Sequence, residues 1–329
     1  MTSVEPDRET VRTAITLATR APSIHNTQPW RWRLGDGSIH LFADRTRQVT
    51  ATDPNGRDLT VSCGAVLHHV RVALAALGWA TAVHRVPNPA VPDHLASLEL
   101  TSYDPTDSDV AAAAMIARRR TDRRRMSDWP VSPDHLERIA GQVRAHGALG
   151  IAVVDPAARF ALAGAIAQAA VIQESAPGYT LELATWTGRA RASGDGVPAA
   201  NIPARGRHDD PDTRRFSHGT LAPHTGKRYG QQTELLLIAT SGDDVLSRLR
   251  AGEAASAALL TATGLGLASC PLSQPLEIAD TRRRVRDHVL GGTAEPQLVI
   301  RLGWAPTSAA PLPATARRDV DDVIAASGE

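Results

Sequence analysis

Residues 21–30 read Ala-Pro-Ser-Ile-His-Asn-Thr-Gln-Pro-Trp, a run dense in hydrogen-bonding groups. Pro22 and Pro29 fix φ and remove two backbone donors, so the segment is stiff and cannot be helical. Ser23, His25, Asn26 and Gln28 therefore offer donors and acceptors from one rigid turn, which suits the edge of a planar heteroaromatic ligand. The plainer alternative is a helix exit that leads into a strand. His25 is a candidate proton donor, although a histidine in such a turn more often bonds the backbone. A second cluster, at 118–125, reads Arg-Arg-Arg-Thr-Asp-Arg-Arg-Arg. Guanidinium offers planar, bidentate donors matched to phosphate oxygens and keeps its charge, and Thr121 adds a hydroxyl. A solvated basic face is the commoner meaning of a charge run. A nucleic-acid patch is disfavoured by a net charge of only +1 and by the lack of aromatics within the run.

Other chemistry is weaker. The segment 264–269, Gly-Leu-Gly-Leu-Ala-Ser, echoes a dinucleotide loop but lies at a helix end and reads as a C-cap. His68 and His69 are adjacent on a helix, so they are expected on different faces rather than as a metal pair. His208, Asp209 and Asp210 could gather a cation, in a segment that reads as irregular. No G-x-S-x-G elbow or zinc spacing occurs, so no metal is expected.

The elements that must position these residues are legible in part. Hydrophobic residues make up 42% of the 329 and charged residues 22%, an ordinary globular balance with room for a sizeable core. Two cysteines, Cys63 and Cys270, exclude a disulfide framework and suit a reducing cytoplasm. The acidic, polar residues 1–10 are unlike a signal peptide, and 251–269 is too polar to span a bilayer; a cytoplasmic location without membrane contact is expected. Helices are expected over 11–18, 132–143 (Ser132 as N-cap, Pro133 at the first position), 156–172 and 179–186. Strands are expected over 40–43, 95–103, 151–154 (buried), 235–239 and 296–304. A faint internal repeat lays 64–78 on 252–266: Gly64 meets Gly252, Leu77 meets Leu265 and Gly78 meets Gly266. Each stretch reads as an apolar helix that ends in glycine, with a strand further on. Between 175 and 232 the pattern dissolves, apart from 179–186, into Gly, Pro, Arg, Asp and His. A long irregular insertion is either disordered or functional; Phe216, Leu221 and Tyr229 supply apolar anchors and favour a lid.

The ten residues 21–30 resemble the A-P-S-x-x-N-x-Q-P-W signature of the FMN-dependent nitroreductase superfamily, and the His-Asn pair resembles its mycobacterial, actinobacterial Acg-type branch. Residues 119–123, Arg-Arg-Thr-Asp-Arg, are similar to the R-R-S-x-R motif by which that family grips the FMN phosphate, and Arg317-Arg318 to its closing basic pair. The resemblance implies that Arg119, Arg120, Thr121, Arg123, Arg317 and Arg318 face the phosphate side. It also implies that Pro22, Ser23, His25, Asn26 and Gln28 meet the ribityl chain or ring edge. Residues 270–277 stand where the family passes the flavin ring, which brings in Pro271, Ser273 and Gln274, but they depart from the usual Pro-x-Gly pattern.

These motifs are unevenly distributed. Residues 1–109 contain the Pro-Ser-x-x-Asn loop without an Arg-Arg-Ser entry; residues 110–329 contain the arginine entry and terminal arginines without a Pro-Ser loop. In ordinary nitroreductases two subunits share each flavin site. The chain thus resembles such a dimer fused end to end, an α+β nitroreductase fold of two half-repeats with one site kept and its mirror image lost. The expectations are a monomer with one FMN, the repeated helices packed together, and NAD(P)H passing electrons through the flavin to a nitroaromatic or quinone acceptor. The alternative expectation is an FMN-sequestering protein whose 175–232 insertion closes over the ring.

Overall fold

The computed structural model describes residues 5–190, 192–204, 214–216, 218–222, 233–307 and 309–325. The first half contains α1 (Arg8–Ala18), β1 (Trp30–Gly35), β2 (Ser38–Ala43), α2 (Arg57–Ala76), β3 (Trp79–Arg85), β4 (His94–Ser102) and α3 (Asp107–Arg118). The second contains α4 (Pro133–Ala145), β5 (Leu149–Ala152), α5 (Pro156–Glu174), α6 (Tyr179–Trp186), β6 (Thr187–Arg189), β7 (Val197–Pro198) and β8 (Glu234–Thr240). It continues with α7 (Val245–Gly264), β9 (Ala268–Leu272), α8 (Gln274–Glu277), α9 (Ala279–Val289), β10 (Glu295–Gly303) and α10 (Val320–Val323).

The two main sheets have one plan. Their strand orders are β1-β2-β4-β3 and β5-β8-β10-β9, and every pair is antiparallel. In each, a long helix joins the second strand to the third in sequence: α2 in the first half, α7 in the second. The faces explain the packing. Leu67, Val70 and Leu74 of α2 share a core with Leu41 of β2 and Leu98 of β4, whereas Ala254, Ala258 and Leu259 of α7 share one with Leu236 and Ile300. Among the described residues α2 alone is long and apolar enough to cross a membrane, with mean hydropathy 1.4 over its most apolar stretch, and its surface lies against other protein elements.

The expected pairing of Gly64 with Gly252 is a physical contact. A Cβ on Gly64 would stand 2.0 Å from the Leu249 carbonyl oxygen and 2.8 Å from the Gly252 Cα; a Cβ on Gly252 would stand 2.0 Å from the Val61 carbonyl oxygen and 2.7 Å from the Gly64 Cα. Val61 thus stands to Leu249 as Gly64 to Gly252, with the 188-residue separation that also relates the hydrogen-bonded His68 and Ser256. Such reciprocity is the mark of a two-fold, isologous contact, here within one chain.

Most expected elements are present with shifted ends. The helix expected from Gly64 begins at Arg57, because Asp53 accepts hydrogen bonds from the Arg57 and Leu59 amides and Gly56 turns the chain at φ +63°. The strand expected over 151–154 is β5, two residues earlier and half exposed rather than buried, because it is a sheet edge. Elements that the sequence did not announce include β3, β9, α3 and α9 and the short β6, β7, α8 and α10. His68 and His69 do not diverge; both Nδ1 atoms lie 2.7 Å from the Ser256 hydroxyl of α7. The chain end returns to the first half, where the Ala325 amide bonds the Trp32 carbonyl and Val323 is buried beside Trp30 and Trp32.

Candidate functional site

A cavity opens between the halves and encloses about 1340 Å³ of empty space, its mouth included. The turn after α1, the N-terminal half of α2, the 119–123 segment and β9 form its walls, together with Ala255 and Leu259 of α7. Val197, Arg214 and Phe216 of the insertion and Ala314, Thr315 and Arg317 complete it.

The Pro-Ser loop is strained. His25, Asn26 and Gln28 all have positive φ, at 47°, 57° and 52°. Non-glycine residues there cost about 1 kcal/mol or more each, so the surroundings must over-determine the turn. They do: the Gln28 amide donates to Ser23 Oγ at 3.0 Å, the Ile24 amide donates to Ser62 Oγ at 3.1 Å, and Ser62 donates back to the Asp58 carbonyl. Asn26 donates its side-chain amide to the Gly196 and Ala316 carbonyls, which leaves its buried Oδ1 without a partner. His25 lies edge-on to Phe216, ring centroids 6.0 Å apart, and its Nε2 also lacks a partner. Burial, then the charges of Arg214 and Arg123, push its pKa well below the usual value, so His25 is neutral at pH 7 and is no ready proton donor.

Guanidinium groups crowd the other end. Arg20, Arg119, Arg120 and Arg317 all line it, beside Thr121. Arg317 donates to the Thr19, Thr315 and Ala316 carbonyls, and Arg119 to the Arg20 carbonyl. The buried Nε and Nη1 of Arg119 and the Nε of Arg120 have no hydrogen-bond partner. Burial and mutual repulsion pull Arg119 down to about 10 and Arg317 to about 9. Among the described residues no carboxylate pairs with Arg20, Arg119, Arg120 or Arg317, so the donor set suits an anion. Arg123 lines the cavity nearer the insertion, with its guanidinium 5.1 Å from the Phe216 ring centroid. Of the remaining arginines in the run, Arg124 is taken by Asp122 at 2.7 Å, and Arg125 pairs with Asp128.

Pro271, Ser273 and Gln274 line the cavity where expected, but the two polar side chains are engaged: Ser273 donates to Glu277 and Gln274 to Gln173. Gln28 and Arg318 are not on the cavity wall, contrary to expectation. The Arg318 amide donates to Gln28 Oε1, its guanidinium reaches the Gln28 carbonyl and pairs with Asp44, and Gln28 donates to the Gly194 carbonyl. They clamp the loop from behind. Among the wall residues that the sequence did not single out are Arg20, Asp58, Ser62 and Arg214, whereas Phe216 had been expected only as an apolar anchor of the insertion. Arg20 was the findable one, being adjacent to the Ala21-Pro22 start of the loop. His208, Asp209, Asp210 and Tyr229 lie outside the described residues.

The described parts of the insertion cross to the first half. Glu182 accepts from the Ala51 and Thr52 amides, Asp195 pairs with Arg47, and Trp186 lies between Arg47 and Arg189. Arg214 pairs with the buried Glu277 and donates to the Tyr179 hydroxyl.

No family model matches the chain. A Mycobacterium tuberculosis protein whose name assigns it, provisionally, to the NAD(P)H nitroreductases is 46% identical over 320 residues, spanning 97% of this chain and 92% of the relative. The acg protein of the same organism, named in the same provisional way, is 36% identical over 328 residues, spanning 96% and 95%. The chain belongs to the nitroreductase family, in its mycobacterial Acg-type branch. Among solved structures, the FMN-dependent nitroreductase NfnB of Mycobacterium smegmatis, in complex with NADPH, aligns with 67% of this chain and 100% of its own at 19% identity and a TM-score of 0.43.

Proposed function

We propose that the cavity holds FMN and that the protein is an FMN-dependent NAD(P)H oxidoreductase. The observation that carries this reading is the set of unpartnered guanidinium donors in the arginine cluster, Arg119 Nε and Nη1 and Arg120 Nε. Four guanidiniums and the Thr121 hydroxyl there fit a phosphate monoester. The remaining wall, from the Pro-Ser loop to β9, mixes apolar faces with the orphaned Asn26 Oδ1 and His25 Nε2 and fits a ribityl chain and a planar ring. FMN would supply the redox chemistry, with a hydride taken from NAD(P)H and electrons passed to a nitroaromatic or quinone. Arg20, Arg119, Arg120 and Arg317 anchor the anion, Ser23 and Ser62 hold the turn, and Pro271 and Leu272 shield the ring from water. The reciprocal packing of α2 on α7 and the shared strand order support a fused dimer, acting as a monomer with one flavin.

A second reading is an FMN-holding protein with little turnover. It is favoured by Phe216 and Arg214, which come from the insertion yet line the cavity and are tied to Arg123 and Glu277. An anaerobic titration of the purified protein with NADPH, with NADH as control, separates the readings. Bleaching of the flavin absorbance is expected for a reductase. Persistent colour that dithionite removes indicates sequestration. Absence of bound flavin, with none taken up from solution, would overturn both.

A further inference from the structure

Helix α2 runs along the cavity and serves as a ruler. His69 feels the charges of Arg119 and Arg317, whereas Asp58 feels Arg214 and Glu277. Eleven residues at 1.5 Å each put the two about 16 Å apart, so Asp58 marks the end opposite the arginine cluster. Among the described wall residues Asp58 is the single carboxyl. Its side chain is only 5% exposed, and neither of its oxygens has a hydrogen-bond partner. The nearest cation, Arg57 Nη1, is 3.7 Å away, and Arg57 donates through Nη2 to Gln297 Oε1 and the Pro296 carbonyl.

Burial, reinforced by Asp53 and Glu277, raises the Asp58 pKa well above the carboxylate range, against the opposing pull of Arg57 and Arg214. Its place in the first turn of α2 favours the anion but is outweighed. Arg248 and Arg282 complete the charged surroundings. A neutral carboxyl presents one O–H donor and one carbonyl acceptor side by side, and here neither is used by the protein. Buried polar groups require partners, and the cavity is where these can be found.

We propose that Asp58 pairs with the imide edge of the bound ring, accepting from the ring N–H and donating to the adjacent ring carbonyl, and so fixes the ring's orientation. This rests on the assignment of FMN to the cavity. Dissociation constants of FMN and of 3-methyl-FMN, which lacks the imide N–H, test it in the wild type, Asp58→Asn and Asp58→Leu. The wild type should prefer FMN by about tenfold, the size of one good hydrogen-bonding pair. Asp58→Asn keeps a donor beside an acceptor and should keep the preference, whereas Asp58→Leu should bind the two flavins alike. The phosphate-induced rise in Tm, which reports on the distant arginines, should persist in both variants, showing the cavity intact. Equal discrimination by the wild type and Asp58→Leu would overturn the role of Asp58 while leaving the FMN reading in place. Failure of the wild type to bind FMN would overturn that reading itself.

Discussion

On the FMN reading, Arg119 is in a position that harms the flavin-free protein and serves the flavin-bound one. Burial and its neighbours Arg120 and Arg123 destabilise its charge, which nevertheless remains at pH 7. Arg119→Ala should therefore weaken FMN binding by about tenfold to a hundredfold, the size of one or two charge-assisted hydrogen bonds. The same change should leave the flavin-free protein as stable or more stable, because the repulsion of Arg119 with Arg120, Arg123 and Arg317 is relieved. Flavin titration and thermal unfolding measure the two effects, which should have opposite signs. Phosphate at fixed ionic strength should raise the Tm of the flavin-free protein more than chloride does. At this scale the sequence was informative where a side chain acts through its own local turn, as Ser23 does in accepting from the Gln28 amide. It was misleading for Gln28 and Arg318, which satisfy each other across 290 residues. It was silent on Asp58, whose character depends on burial and on the charges of neighbours that include Glu277 and Arg214, distant in the chain.

The crossing of α2 and α7 tolerates no side chain at its centre. Gly64→Ala places a methyl carbon 2.0 Å from a backbone oxygen and should destabilise the protein by about 3 kcal/mol, read from urea unfolding. The same two helices bear on the expected loss of the mirror-image site. Ala65 and Leu259 border the cavity; their counterparts at the 188-residue offset are Glu253 and Arg71, which pair at 2.9 Å. Arg85 joins at 2.6 Å, so an ion cluster fills the mirror-image position. Glu253 is buried while Arg71 and Arg85 keep part of their hydration, so Glu253→Ala should cost about 2–4 kcal/mol, below a fully buried pair. Equilibrium unfolding should show the loss without a second flavin appearing. The repeat was legible because glycine at a helix crossing and glycine at a C-cap, Gly78 and Gly266, recur with fixed spacing. The edge strands β3 and β9 were not, because exposed edges carry mixed side chains and β9 contains Pro271. Helix α3 was overlooked although Thr106 and Asp109 form its capping box.

Across the whole molecule, the insertion joins the halves through Glu182, Asp195 and Phe216. If it occludes the ring, the double variant Glu182→Ala with Asp195→Ala should speed NADPH-driven flavin reduction, since opening of a lid can limit the rate. An unchanged rate would count against occlusion. Sedimentation and flavin quantitation together should give a monomer with one flavin per chain. The covalent link between the halves has a further consequence. Where two separate subunits share a site, dilution below their dissociation constant opens it. Here each wall faces the other at an effective concentration set by the chain itself, in the millimolar range for short tethers, whatever the amount of protein. Retention of the ligand is thereby decoupled from protein abundance, and a few molecules per cell would grip it as firmly as many.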